Sequence, residues 1–162
     1  MNLQARERFL PPKLPAAQPP LMIERTRMID LAEVKIGLTS SAEIVVGEEH
    51  TAPRVGSGHV RVLATLVMIN VMEAAALAAI EHLLPVGHQS LGTHLNVGHY
   101  AATPVGMRLR ATAEVSKIDG RNIEFRVAAF DEKERVGDGT HSRIVVDVAR
   151  FDQRVQAKLE KK

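Results

Sequence analysis

Residues 66–84 read LVMINVMEAAALAAIEHLL, a run that is apolar on nearly every side and carries a lone carboxylate, Glu73, in its interior. Ala and Leu favour a helix here, the apolar residues recur at three- and four-residue spacings, and Pro85 with Gly87 ends it. Helical geometry puts Leu66, Ile69, Asn70, Leu77, Ile80 and Leu84 on the stripe through Glu73, so the acid is expected among core residues. A carboxylate there needs partners or a proton, because an unpaired buried charge is very costly. Such perturbed acids concentrate at functional sites, whereas a Glu near a helix end simply reaches solvent or a lysine.

Working outward, Glu43–Val46 predicts a first strand, followed by a loop of small residues from Thr51 to Gly58 and a helix starting at Ala64 or Thr65. After Gly87 the apolar period changes from helical to alternating. Strands are predicted over Ser90–Tyr100, over Met107–Lys117 with Leu109, Ala111, Ala113 and Val115 on one face, over Asn122–Phe130 after an Asp119-Gly120 turn, and over Val136–Phe151. Residues 152–162 predict a short charged helix. A strand, a long helix and an antiparallel meander of four strands make an α+β fold, with one central helix wrapped by a curved antiparallel sheet. A helix apolar all round needs more cover than one sheet gives, so a homodimer or higher homo-oligomer is expected. Residues 1–28, with Pro11, Pro12, Pro15, Pro19 and Pro20, read as a flexible proline-containing arm, and 29–162 as the single domain.

Bulk properties narrow the function. Net charge is +2, yet residues 1–28 alone carry a surplus of 3, leaving the domain near neutral. With one Tyr, four Phe and no Trp, neither a basic face nor stacking aromatics for nucleic acid are expected. The absence of cysteine removes disulfides, thiolate catalysis and zinc–thiolate sites. Asn70 and Glu73 interrupt the longest apolar run, so no membrane association is expected, and the N-terminal residues show no secretory pattern. A cytoplasmic setting is the expectation.

Among the seven histidines there is no metal-ligand spacing, and His94 and His99 differ in strand parity, so no metal is expected. His99 follows the alternation Leu91, Thr93, Leu95, Val97 onto the apolar face; it reads as a core histidine or as a general acid–base near neutral pH. Thr65 begins the helix eight residues before Glu73, about 12 Å along the axis, and reads as an N-cap or as a group flanking the same groove. Gly92 interrupts a strand, marking a bulge or a close approach of ligand to backbone, whose N–H would suit an oxyanion.

Taken together, Ala64-Thr65 with Val71-Met72-Glu73, Ser90-Leu91-Gly92-Thr93, His99-Tyr100-Ala101-Ala102-Thr103-Pro104 and Gly139-Thr140-His141-Ser142-Arg143 resemble the fluoroacetyl-CoA thioesterase branch of the hot-dog-fold thioesterases. The resemblance runs from about Val34 to Lys158. It implies a hot-dog fold, hydrolysis of an acyl-CoA thioester at a dimer interface, and no cofactor beyond the CoA of the substrate. It implies a catalytic set of Thr65, Glu73 and His99, with Gly92 and Arg143 contacting substrate. The family's fluoroacetyl-selective member has an aromatic lid residue six positions before its threonine; that position here is His59, in a run of small residues, so fluoroacetyl selectivity is not expected. Two other functions suit the same scaffold: a non-catalytic acyl-CoA or acyl-carrier binding protein, and a hot-dog hydratase or dehydratase.

Overall fold

The alternating segments after Gly87 form strands whose inward residues line a single sheet, and the apolar run lies across it. The structure is a computed structural model that describes residues 29–160, so the arm expected over 1–28 lies outside the described residues. In chain order the elements are β1 (Thr39–Val45), a four-residue turn of helix α1 (Ala52–Val55), the long helix α2 (Thr65–Ile80), β2 (His88–His99), β3 (Arg108–Asp119), β4 (Asn122–Phe130), β5 (Arg135–Asp147) and α3 (Val148–Glu160). All five strands pair antiparallel in the order β1-β3-β4-β5-β2. The α+β arrangement of one long helix wrapped by an antiparallel sheet is as expected.

The connectivity differs from a four-strand meander. Only β3, β4 and β5 follow one another; β2 pairs with β5, and β1 with β3. Physically, a hairpin needs a short turn: Gly120-Arg121, with Gly120 at φ +57°, joins β3 to β4, and Asp131–Glu134, closed by the Asp131 N–H donating to the Glu134 carbonyl at 3.0 Å, joins β4 to β5. Residues 100–107, with Pro104 and a positive-φ Gly106, instead carry the chain across the sheet end, anchored where Tyr100 donates to the Val136 carbonyl and Leu63 to that of Thr103. β2 is thereby left as a long edge strand.

On β3 the expected face is buried, with Leu109, Ala111, Ala113 and Val115 at most 1% exposed. They meet Val67, Met68, Val71, Met72, Ala75, Ala76, Ala79 and Ile80 of α2, which packs mainly on β1 and β3. The buried face of α2 therefore takes only Ile80 from the helical residues of the stripe through Glu73. On that stripe Leu66 and Leu77 are 48% and 39% exposed, because the helix turns its alanine-rich side to the sheet, where small side chains allow close approach. By length and composition Thr65–Leu83 would also suit a membrane span, but its buried side is committed to the sheet. The α-helical pattern ends at Ile80, before the expected Leu84, and tightens into a 3₁₀ turn over Glu81–Leu83.

Candidate active site

Two separate clusters hold the residues singled out by sequence. The first joins the start of α2 to the end of β2. Thr65 is the first helical residue, while Ala64 occupies the N-cap with extended backbone, so Thr65 does not cap the helix. Its hydroxyl is exposed and shares a 2.9 Å hydrogen bond with His99 Nδ1. The other ring nitrogen, His99 Nε2, is buried and has no partner among the described residues.

The second cluster lies where the middle of α2 passes β2 and β5. A β-carbon placed on Gly92 would be 2.5 Å from Glu73 Oε1 and 3.1 Å from His141 Cε1, so the glycine admits the carboxylate against the strand. The bulge expected at Gly92 is present, since the β2–β5 register shifts between Gly92 and His94. That bulge reverses which residues of β2 point inward. Ahead of it Ser90 and Gly92 pair with the inward Val145 and Arg143, and after it Leu95, Val97 and His99 pair with His141, Gly139 and Gly137, so the regular alternation expected holds only beyond the bulge.

Glu73 is not a core acid: its side chain is 35% exposed. Arg143 Nη1 lies 4.0 Å from its Oε1 and His141 Nε2 3.6 Å, both beyond hydrogen-bond distance. Behind it the packing is dry. Arg143 is 7% exposed and His141 is fully buried beside Phe125. Arginine only donates and a carbonyl only accepts. Arg143 Nη1 donating to His141 Nε2 (3.2 Å) and His141 Nδ1 donating to the His94 carbonyl (3.0 Å) therefore require the neutral, Nδ1-protonated imidazole. Burial, with the Arg143 charge adding to it, pushes the His141 pKa below its ordinary value, although the His94 carbonyl and Glu73 pull the other way. Burial likewise lowers that of Arg143, partly offset by Glu73 and Glu81.

Sequence reasoning gave no role to His141, Ser90 or Glu81. The available signal was alternation: His141 and Arg143 stand two apart on β5, hence on one face. His59 is exposed in residues 56–62, beyond the Thr51–Leu63 bridge, and belongs to neither cluster. Among the described residues no three His, Asp or Glu side chains converge as a metal site would require. An open groove of about 820 Å³ crosses the outer face of the sheet past Arg110, Arg126 and Arg135, sharing no residue with either cluster. Arg126 and Arg135 in it are already paired, each at 2.8 Å, with Glu114 and Asp138.

The two clusters stay apart within one chain. Thr65 and Glu73 are separated by about 12 Å of helix, and Gly92 and His99 by roughly 23 Å of strand.

Comparison with known proteins extends over both clusters. Residues 46–149 match the family described as FlK, fluoroacetyl-CoA-specific thioesterase. A fluoroacetyl-CoA thioesterase from Streptantibioticus cattleyicolor is 40% identical over 97 residues, covering 60% of this chain and 70% of that protein. The solved structure of the fluoroacetyl-CoA thioesterase FlK superposes with a TM-score of 0.73 at 33% identity, covering 77% of this chain and 97% of FlK. A Thermus thermophilus member of the thioesterase superfamily gives 0.72 at 27% identity, over 80% of this chain and 98% of the other. A hot-dog-like protein from Thermanaerovibrio acidaminovorans gives 0.73 at 22% identity, over 80% of this chain and 97% of the other, a likeness of fold. The fold is thus the hot-dog fold, as expected.

Proposed function

The chain belongs to the fluoroacetyl-CoA-specific thioesterase family, and we propose that it hydrolyses the thioester of an acyl-CoA, releasing a carboxylic acid and free CoA, at a site shared between two subunits. The observation that carries this reading is the Glu73 carboxylate lodged over Gly92 with a buried guanidinium 4.0 Å away. It is a base or nucleophile with unengaged lone pairs, set against strand backbone and a fixed positive charge.

Neither cluster completes the chemistry alone. Antiparallel pairing of two β2 edges about a two-fold axis would set the Gly92 end of one strand against the His99 end of the other. A twelve-residue edge unpaired among the described residues and the exposed Leu66 and Leu77 on α2 both support a second copy there. Each site then combines Glu73, Gly92 and Arg143 with Thr65 and His99 of the partner subunit.

In that site Glu73 delivers oxygen to the thioester carbonyl carbon, from its own carboxylate or from a water it deprotonates. The Gly92 N–H donates to the oxygen that becomes negative, an interaction worth on the order of 3 kcal/mol, and Arg143 adds its charge. As the carbon–sulfur bond breaks, the CoA thiolate takes a proton from the Thr65–His99 pair of the partner subunit. Where Glu73 itself attacked, a water then hydrolyses the Glu73–acyl anhydride to the carboxylic acid, freeing Glu73; on either route the proton given up by the water restores the pair. His59 stands on the loop before α2, outside both clusters. Without an aromatic side chain there, fluoroacetyl selectivity is not part of the proposal.

The test is release of free thiol from acyl-CoAs running from acetyl to long-chain and aromatic, for wild type and Glu73→Ala. Release that depends on Glu73 supports hydrolysis and identifies the acyl class. No release with CoA still bound would point to a binding protein, and loss of an enoyl-CoA double bond without thiol release to a hydratase.

A further inference from the structure

We propose that Glu81 and Ser90 are positioning residues that hold the Arg143 guanidinium back from Glu73, keeping that carboxylate free for the thioester. The proposal rests on the reading of Glu73 as the group that delivers oxygen.

A guanidinium beside a carboxylate ordinarily closes to a two-pronged contact near 2.8 Å. Arg143 does not: its nearest approach to Glu73 is 4.0 Å. Three of its donors are engaged elsewhere, Nε to Ser90 Oγ at 2.8 Å, Nη2 to the Ser90 carbonyl at 2.9 Å and Nη1 to His141 Nε2 at 3.2 Å. Ser90 is itself gripped by one carboxylate. Its hydroxyl donates to Glu81 Oε2 at 2.7 Å and its backbone N–H to Glu81 Oε1 at 3.1 Å. With its proton directed at Glu81, the hydroxyl can present only lone pairs to Arg143, which fixes the guanidinium from behind.

Charge reinforces this geometry. Arg143 is a buried cation whose two influential carboxylates are Glu73 and Glu81. Glu81 compensates it through Ser90, so the pull of Glu73 does not decide where the guanidinium rests. The 3₁₀ turn after Ile80 is what brings Glu81 against the start of β2. Without that strut, Arg143 closes on Glu73, occupies its lone pairs and makes it a weaker base. The groups facing Glu73 are His141 and Arg143 from β5, uncharged Gly92 from β2, the non-titratable Ile69, Asn70, Ala76 and Leu77 of its own helix, and, in the proposed dimer, His99 of the partner subunit.

Glu81→Gln keeps the shape but removes the charge and one of the two acceptor oxygens that Ser90 uses, and Ser90→Ala removes the hydroxyl. In the full-length protein, both variants are expected to lower kcat for thiol release on the order of tenfold, with KM within about twofold. The acid limb of the kcat–pH profile is expected to move down by about one unit, since losing the Glu81 charge and gaining a closer Arg143 both favour ionised Glu73. An acid limb that stays in place in folded Glu81→Gln overturns the proposal, whatever its thermal stability. Exchange of the Arg143 Nε–H with water, followed by nitrogen-15 NMR, reads the strut without any turnover: slow in wild type, faster in both variants. If Glu73→Ala hydrolyses acyl-CoA normally, the reading of Glu73 fails, and unchanged exchange in the variants independently overturns the role of Glu81 and Ser90.

Discussion

Glu73 Oε1 lies 2.5 Å from where a β-carbon at position 92 would stand, so the helix carboxylate fills the space left by the missing side chain of Gly92 on the edge strand. This contact couples the one acid in the middle of an apolar helix to the backbone expected to hold the developing oxyanion.

Gly92→Ala is the direct probe of that contact. The added methyl meets the far end of Glu73, a flexible side chain that is 35% exposed and swings aside, and Cε1 of the buried His141 ring at 3.1 Å, which must give by a few tenths of an ångström, so the domain folds with a small loss of stability. Melting is expected within a few degrees of wild type. Thioester hydrolysis is expected to fall about 10²-fold in kcat/KM, the usual consequence of an ångström-scale displacement. A fully active Gly92→Ala protein would remove Gly92 from the site.

Thr65→Val separates the two roles open to this residue. Since Ala64 holds the N-cap position and Thr65 makes no capping bond, an isosteric valine leaves the helix start intact. The 2.9 Å bond to His99 is lost. Thermal unfolding is expected to be nearly unchanged while kcat falls on the order of 10²-fold, as for removal of a proton-transfer partner. A large drop in Tm with normal kcat would restore the capping role.

His141 gives the pH dependence of stability a sign. Its folded pKa is held below 6.5, chiefly by burial. Between that lowered value and the unfolded one, the unfolded chain binds a proton that the folded chain refuses, so stability rises with pH there. Denaturant unfolding is expected to show progressive loss as pH falls below about 6.5, ending once the folded-state pKa is passed. His141→Asn, whose amide can still donate to the His94 carbonyl, should lack this component; an identical pH slope in the variant contradicts the assignment.

Local patterns carried much of the fold. The alternation of Leu109, Ala111, Ala113 and Val115, the Asp119-Gly120 turn and the long helix are each decided by neighbours in sequence, and each formed, the α-helix ending at Ile80 rather than Leu84. The pairing of β2 with β5 is non-local: nothing near residues 88–99 states which edge they join. The bulge after Gly92 then switched the inward parity of β2, turning Ser90 inward ahead of it while the expected alternation of Leu95, Val97 and His99 held after it. Glu73 was legible as an unusual residue but its surroundings were not, because a nearly all-apolar helix has no stripe that marks its buried side. The partners of Arg143 were hidden for a related reason. Ser90 and Glu81 are ordinary polar residues until the 3₁₀ turn and strand pairing bring them together.

The claim that one site is built from two subunits is tested most directly by complementation. Glu73→Ala and His99→Ala chains are co-expressed with different tags, and the mixed dimers are assayed for thiol release. Each mixed dimer has one site lacking both groups and one site lacking neither. Mixed dimers isolated through both tags should therefore recover about half of wild-type activity, and the unfractionated random mixture, half of it mixed dimers, about a quarter, from two inactive parents. A site contained within one chain leaves every site of the mixed dimer without one group, and activity no higher than the parents would contradict the shared site.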